Sequence, residues 1–255
     1  MASQDQPRAK NGEYALKPAS APSVSSVSLA NPASQTINST DGENEIKKIF
    51  TRFQEKYGRA PVIGLDLDGT TADMTAGFRP RVAEARGINQ VDATTHLPDP
   101  DDYAYSKSTT PWFRDREEFL EHFQAAEKSG FYRDLPVYDG AIDVLHHLSE
   151  RGFRIKAVTA RSADYNPDTS HWLDSQGIPY EEILNPGFEK YTIEEVDIFI
   201  DDAPHVITGL VERERKVIIF NQQYNDHHNI DSESHTRRIE GWDLDSMTKA
   251  LDALL

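Results

Sequence analysis

The amino-acid sequence predicts an α/β protein built on a doubly wound parallel sheet. Short apolar runs alternate with amphipathic helical patterns along the chain, and this alternation is the order in which parallel sheets are built. Three of the apolar runs end in polar residues, as strands do when their carboxyl ends line a ligand site. At 255 residues with 37% hydrophobic content, the chain can bury one sizeable core with at most a smaller accessory module.

Apolar spacing justifies the individual elements. The first helix carries apolar residues at positions i, i+3, i+4 and i+7, namely Ile46, Ile49, Phe50 and Phe53. A second helix over 140–151 carries the same kind of stripe and stops at Gly152, a residue type that favours helix C-termini. The predicted strands are 61–65, 154–159, 196–200 and 216–220, with a helical pattern between the last two and a closing helix over 244–254.

Residues 1–43 are predicted to form a disordered arm, because they are rich in Ser, Ala, Pro, Asn, Gln and Thr. The arm is interpreted as an inert tail or, alternatively, as a segment for translocation or partner docking. No apolar stretch in it is long enough for a signal-peptide core or a membrane span. The sequence therefore predicts a cytoplasmic protein, with export through the arm as an open alternative.

Charge and cysteine content exclude several classes of function. The formal net charge is -16, and a body this acidic repels nucleic-acid backbones and anionic lipid surfaces. Nucleic-acid polymers and membranes are therefore not expected as partners, and a small anionic substrate would need local cations or a bound metal. The chain contains no Cys, which excludes disulfides, thiolate metal sites and Cys nucleophiles.

The most informative stretch is Asp66-Leu67-Asp68-Gly69, which follows the first predicted strand. Ligands of open α/β sheets bind at the carboxyl ends of strands. Paired carboxylates at such a position suit magnesium ligation or chemistry by a nucleophile and an acid. The alternative interpretation is a solvated Asp-Gly turn, because the same residues punctuate many loops.

Other strand ends carry complementary polar residues. Thr159-Ala160-Arg161 follows the second predicted strand, Asp201-Asp202 follows the third, and Lys190 lies 11 residues before Asp201. Parallel strands bring their carboxyl ends to one edge of the sheet, so we expect these residues to converge on Asp66. The combination of carboxylates, a hydroxyl and an ammonium is a more specific sign of a chemical site than any one of these groups alone.

Phosphoryl transfer explains why each of these residue types is needed. Asp66 would attack phosphorus, and Asp68 would donate a proton to the leaving oxygen and later accept one from water. Thr159 and the backbone N–H groups after it would bind the phosphoryl oxygens, whose charge Lys190 would hold. Asp201 would complete the oxygen shell of Mg²⁺, which offsets the charge of a phosphate ester.

With these motifs in this order, residues 60–255 resemble the haloacid dehalogenase (HAD) superfamily of phosphohydrolases. The resemblance implies a Rossmann-like core, dependence on Mg²⁺ and a cap domain over the site. The first motif has an aspartate, Asp68, as the second member of its acidic pair, and in this respect the chain is similar to the phosphatase branch of the superfamily. The implied division is a core formed by 44–71 and 152–255, with a small inserted helical cap over 72–151 whose C-terminal end returns to the core.

Within the superfamily, the chain is most similar to the 5'(3')-deoxyribonucleotidase group. The similar segments are 130–141, where the cap returns to the core, Asp201-Asp202-Ala203-Pro204, the closing strand 219–225 and Ile239-Glu240-Gly241-Trp242. The second motif departs from the group, because Thr159-Ala160-Arg161 stands where Thr-Ser-Pro is usual. Arg161 is interpreted as a clamp for a second anionic group of the substrate or as one partner of a salt bridge.

The cap interior is rich in aromatic residues, which are Phe78, Tyr103, Tyr105, Trp112, Phe113, Phe119 and Phe123. Rings of this kind could stack on a nucleobase or form the core of a small helical module. Trp112 and Phe113 are the pair singled out for base stacking.

The sequence therefore predicts a Mg²⁺-dependent phosphomonoesterase acting on a small phosphorylated metabolite, a nucleoside monophosphate, through an aspartyl-phosphate intermediate. The alternatives are a phosphatase for a sugar phosphate or another metabolite, and a binding or regulatory protein on the same fold. The predicted catalytic residues are Asp66, Asp68, Thr159 and Lys190, the predicted metal ligands are Asp66, Asp68, Asp201 and Asp202, and the predicted substrate-binding residues are Gly69, Ala160, Arg161, Trp112 and Phe113.

Overall fold

A computed structural model of the chain describes residues 39–226 and 232–255, with side chains from residue 44. Its strands are β1 (Val62–Leu65), β2 (Arg154–Val158), β3 (Ile183–Leu184), β4 (Ile198–Asp201), β5 (Lys216–Phe220) and β6 (Thr236–Ile239). Its helices are α1 (Ser39–Tyr57), α2 (Met74–Ala85), α3 (Ala93–His96), α4 (Arg116–Lys128), α5 (Ala141–Glu150), α6 (Asn166–Gln176), α7 (Pro204–Val211) and α8 (Leu244–Leu254).

The six strands form one parallel sheet in the order β3-β2-β1-β4-β5-β6. The chain extends the sheet from β1 through β2 to β3, and then crosses to the other side of β1 to add β4, β5 and β6. The direction of winding thus reverses between β1 and β4, and a reversal of this kind opens a crevice at the carboxyl ends of the strands. The predicted doubly wound parallel sheet is confirmed.

Helices cover both faces of the sheet, so side chains on alternate strand positions enter two separate hydrophobic clusters. Ile198 and Ile200 belong to the larger cluster, which includes residues of α1, α5 and α8. Phe199, between them, belongs to the smaller cluster with the buried face of α7. Burial on both faces explains why β4 and β5 are continuous apolar runs in the sequence.

The segment between β1 and α5 contains α2, α3 and α4 and contributes no strand to the sheet described for 39–226 and 232–255. Its core consists of aromatic side chains around the fully buried Phe78, whose ring centroid lies 5.7 to 6.3 Å from those of Tyr105, Trp112, Phe113, Phe119, Phe123 and Phe131. The packing of so many rings holds a module of short helices and loops together.

The predicted arm, residues 1–43, lies outside the described residues except for its last five. Those five residues belong to α1, which begins at Ser39, so helical structure starts earlier than the sequence suggested. In the two described ranges, no helix combines the length and the apolar character needed to cross a lipid bilayer.

Candidate active site

The candidate site lies at the carboxyl edge of the sheet, where the winding direction reverses. Asp66 directly follows β1, and Asp201 is the last residue of β4. Leu65 pairs with Ile200 across these strands, and the N–H of Asp66 donates to the carbonyl of Ile200 at 3.0 Å. The strand register therefore brings the two aspartates side by side, and both are buried.

Lys190 joins the two aspartates through a buried ammonium group. It begins a short 3₁₀ turn, and its side chain is 2% exposed. The ammonium donates to Asp66 and also to Oδ2 of Asp201, at 2.7 Å. Burial opposes the charged form, but the charges of Asp201 and Asp66 outweigh this effect and raise the pKa of Lys190 above its ordinary value. Lys190 is therefore a fixed positive charge within the site.

The carboxylates of Asp66, Asp201 and Asp202 form an acidic cluster, in which the candidate ligand atoms lie within 4.8 Å of one another. Burial raises the pKa of Asp66 to about 7 and raises the pKa of Asp202 well above its ordinary value, and the neighbouring carboxylates add to both effects. When all three are ionised, Lys190 offsets one of their charges and leaves an excess of negative charge. Closely spaced carboxylate oxygens with such an excess suit a divalent metal ion.

Hydroxyl groups from distant parts of the chain orient Asp202. Thr70 Oγ1 donates to Oδ1 of Asp202 at 2.6 Å, and the Tyr224 hydroxyl donates to Oδ2. The turn before Thr70 requires glycine, because Gly69 has a φ of +87° and a Cβ there would lie 2.5 Å from Oδ2 of Asp202. The indole N–H of Trp242 donates to the carbonyl of Thr70 at 2.8 Å and so fixes this loop.

Asp68 turns towards Arg161 instead of the acidic cluster. Arg161 Nε donates to Oδ2 of Asp68 at 2.9 Å, and Nη2 donates to Oδ1 at 2.6 Å, which is a bidentate ion pair. Nη1 donates to Thr169 Oγ1 at 3.2 Å. The guanidinium carbon lies 4.1 Å from the ring centroid of Tyr132 and 5.4 Å from that of Trp172. The Arg161 side chain is fully buried, whereas that of Asp68 is 20% exposed.

These contacts show where the structure places several of the predicted site residues. The Arg161 side chain pairs with Asp68 out of reach of solvent, as in the salt-bridge alternative, and its role in binding substrate stays a prediction. The carboxylate of Asp68 lies outside the acidic cluster, so its predicted role as a metal ligand stays a prediction. Thr159 is buried and its Oγ1 accepts the N–H of Arg161 at 3.2 Å, while Ala160 between them is exposed.

Trp112 and Phe113 lie away from the sheet edge, in the core of the helical segment. Each residue is 1% exposed, and the indole N–H of Trp112 donates to the carbonyl of Pro98 at 2.7 Å. Their rings pack against Phe78 and so have no face available to a ligand in this structure. The structure thus places the pair as in the alternative of a module core, and its role in base stacking stays a prediction.

An aromatic rim, formed by Tyr103, Phe188 and His205, borders the site. The ring centroid of His205 lies 5.1 Å from that of Tyr103 and 4.5 Å from that of Phe188. Tyr103 is 38% exposed and Phe188 is 55% exposed, and Tyr103 also contacts the ring of Tyr224, which binds Asp202. Sequence reasoning considered Tyr103 only as one cap aromatic among seven and missed Phe188 and His205, because no sequence spacing links them.

The fold and the site together define a phosphohydrolase of the HAD type, in which Asp66 follows the first strand and meets a buried lysine and two further aspartates. A family model described as "5' nucleotidase, deoxy (Pyrimidine), cytosolic type C protein" matches residues 60–250. The chain belongs to this family and is a phosphoric monoester hydrolase.

Individual relatives agree with this assignment. The chain is 30% identical over 178 residues to a protein of Chlorobaculum tepidum designated a candidate 5'(3')-deoxyribonucleotidase, with 65% of this chain and 81% of the relative covered. It is 29% identical over 132 residues to a candidate nucleotidase of Oceanobacillus iheyensis, with 44% and 69% covered. The crystal structure of a predicted phosphatase from Clostridium acetobutylicum has a TM-score of 0.52 at 17% identity, covers 76% of this chain and 99% of its own, and shows the same fold.

Proposed function

We propose that the chain is a Mg²⁺-dependent phosphomonoesterase that hydrolyses a nucleoside monophosphate through an aspartyl-phosphate on Asp66. The observation that carries this proposal is the contact of Asp66 with Lys190 inside the buried acidic cluster. A carboxylate beside a fixed positive charge can meet an anionic phosphate ester, because the lysine offsets the repulsion between them. Membership of a 5'-nucleotidase family supports the choice of a nucleotide as the ester.

In the proposed first step, a carboxylate oxygen of Asp66 attacks phosphorus, and the bond between phosphorus and the ester oxygen breaks. The ester oxygen takes a proton from the carboxyl group of Asp68 and leaves as an alcohol. Asp68 suits this task because it lies two residues after Asp66 and its side chain is partly exposed. The products are the nucleoside and an aspartyl-phosphate.

In the second step, a water molecule attacks the phosphorus of the aspartyl-phosphate. The carboxylate of Asp68 takes a proton from this water, and the bond from phosphorus to the oxygen of Asp66 breaks. Inorganic phosphate leaves, Asp66 is again a carboxylate and Asp68 is again protonated. The same side chain thus returns to its starting state after each turnover.

Asp66, Asp201 and Asp202 would hold the Mg²⁺, since their oxygen atoms already lie together. When bound, the ion offsets the charge of the phosphate group. Lys190 would hold Asp66 and Asp201 in place and contribute a second positive charge.

Phosphoryl oxygens would receive hydrogen bonds from the Thr159 hydroxyl and from the backbone N–H of Ala160. The N–H of Arg161 is directed at Thr159 Oγ1, so we assign it to the shape of the loop instead. Donors fixed by a strand end need no reorganisation when charge develops on the phosphoryl group.

We also propose that residues 72–151 act as a cap over a core formed by 44–71 and 152–255. Tyr103 supports this division, because it extends from the inserted segment to the rings of Tyr224 and His205 in the core. The aromatic rim would then contact the nucleobase while the phosphate group binds at the acidic cluster. Stacking on a base requires an exposed ring, as Tyr103 and Phe188 have.

Phosphate release from a panel of esters tests the proposed substrate class. With Mg²⁺ present, we expect kcat/KM to be highest for nucleoside monophosphates, and lower for sugar phosphates and p-nitrophenyl phosphate. Tyr103→Ala should raise KM for nucleotides, because the base loses a stacking contact of about 1 to 3 kcal/mol. It should leave KM for sugar phosphates unchanged. The matched control is Tyr57→Ala, which removes an exposed tyrosine at the end of α1.

Each other result of this panel points to a different function. If a sugar phosphate has the highest kcat/KM, the substrate is a sugar phosphate and not a nucleotide. If Tyr103→Ala changes KM equally for every ester, the aromatic rim does not bind the base. Failure to release phosphate from any ester, p-nitrophenyl phosphate included, would indicate a non-catalytic binding protein.

Replacement of a proposed metal ligand should change the dependence on Mg²⁺. We expect Asp201→Asn to raise the Mg²⁺ concentration for half-maximal activity by about tenfold or more, because the cluster loses a charged oxygen donor. The measurement is initial rate against free Mg²⁺, with Asp245→Asn on the surface of α8 as the control. An unchanged Mg²⁺ titration would contradict the assignment of Asp201.

A further inference from the structure

Arg161 is a charged side chain that the proposed reaction does not use, and it is completely withdrawn from solvent. A buried guanidinium is costly unless its donors and its charge are satisfied. In this chain both conditions are met by one carboxylate, that of Asp68, together with the hydroxyl of Thr169. The chain thus keeps a buried guanidinium, despite its desolvation cost, in contact with the residue that we assign to proton transfer.

The surroundings of Arg161 restrict its movement. Thr169, in α6, binds Nη1, and the ring of Tyr132 lies against the guanidinium at 4.1 Å. The backbone is held as well, because Asn185 Nδ2 donates to the carbonyl of Arg161 at 3.0 Å. A planar guanidinium fixed in this manner fixes the plane of the carboxylate that it binds.

From this geometry we infer that Arg161 is a positioning residue, which orients the Asp68 carboxyl group for proton transfer and does not contact the substrate. The inference rests on the proposed role of Asp68. Both oxygens of Asp68 are held by Arg161, yet each oxygen keeps a further lone pair, and the side chain stays partly exposed. A proton donor held in a single orientation needs less reorganisation to reach the reacting oxygen.

A kinetic comparison of Arg161→Gln and Arg161→Lys with the unaltered chain tests this inference. We expect Arg161→Gln to lower kcat for a nucleoside monophosphate roughly ten- to a hundredfold, which is part of the 10²–10⁴ that a positioned acid or base contributes. KM should change less than about threefold, because Arg161 does not bind the ester. Arg161→Lys keeps the charge without the bidentate geometry, so its kcat should lie between that of Arg161→Gln and that of the unaltered chain.

Arg154→Gln is the matched control. Arg154 also makes a bidentate pair, with Glu181, but this pair lies on the surface at the start of β2. We expect kcat and KM of this variant to equal those of the unaltered chain. If Arg161→Gln does not fold, as thermal unfolding would reveal, Thr169→Val removes one anchor of the guanidinium and should lower kcat less, again without a change in KM.

A double-mutant cycle separates this inference from the proposed function. In the Asp68→Asn background, Arg161→Gln should lower kcat no further, because its effect passes through Asp68. p-Nitrophenyl phosphate serves as substrate, since its leaving group departs without a proton and keeps residual turnover measurable. An additional loss in the double variant, or an effect of Arg161→Gln on KM alone, would overturn the positioning role while leaving Asp68 in its role. Full activity of Asp68→Asn towards a nucleoside monophosphate, whose leaving group needs the proton, would overturn the role of Asp68 and the inference with it.

Discussion

Asp66→Asn should abolish turnover and leave the fold intact. The variant loses the anionic carboxylate that acts as nucleophile, and loss of a nucleophile costs about 10⁴-fold or more in kcat. The amide retains an acceptor for the ammonium of Lys190 and removes one charge from a crowded acidic cluster. We therefore expect the free energy of unfolding in metal-free buffer to stay the same or to increase. Phosphate release and thermal unfolding measure the two quantities.

The control for this variant is Asp252→Asn, which neutralises an exposed carboxylate that pairs with Arg52 on the surface. Acid quenching during turnover of a phosphorus-labelled ester adds a direct measurement, since the unaltered chain should retain label on Asp66 and the variant should not. Activity of Asp66→Asn near that of the unaltered chain would refute the assignment of the nucleophile.

Lys190→Met should destabilise the protein as well as inactivate it. The buried ammonium binds Asp66 and Asp201, and its removal leaves carboxylates in a low-dielectric interior without their cation. Removal of one partner of a buried ion pair lowers the free energy of unfolding by about 3 to 5 kcal/mol. Urea unfolding in a chelating buffer measures this loss, and added Mg²⁺ should restore part of it by binding the folded state.

Lys249→Met is the control for Lys190→Met, because Lys249 pairs with Asp245 one helical turn away on the exposed face of α8. Its urea midpoint should not change. Equal stability of Lys190→Met and the unaltered chain without metal would mean that the carboxylates of the acidic cluster are neutral there, and that Lys190 is not their counterion.

The sequence predicted the central strands well because burial on two faces leaves a clear pattern. β5 has the predicted bounds, and β4 begins at Ile198, two residues later than predicted. The edge strands β3 and β6 were missed. Ile183–Leu184 is only two residues long, and Thr236–Ile239 has two arginines at its centre, so neither segment shows the apolar run of a central strand.

The convergence of Asp66 and Asp201 could be predicted because the topology of parallel strands determines it, whereas Lys190 lies in a 3₁₀ turn whose position the strands do not set. Their catalytic and metal-binding roles stay predictions. The partner of Arg161 and the choice between the two interpretations of Trp112 could not be predicted, since each depends on side chains from segments far away in the sequence, such as Thr169 and Phe78. Residue type alone does not reveal whether an arginine or a tryptophan is turned inward.

The hydrogen bond from Trp242 to the loop at Thr70 spans 172 positions of the chain. The loop can therefore gain this hydrogen bond only after Trp242 has been synthesised. Nascent chains that carry the first pair of aspartates but not yet Trp242 lack that support, so we expect them to hydrolyse no phosphate ester.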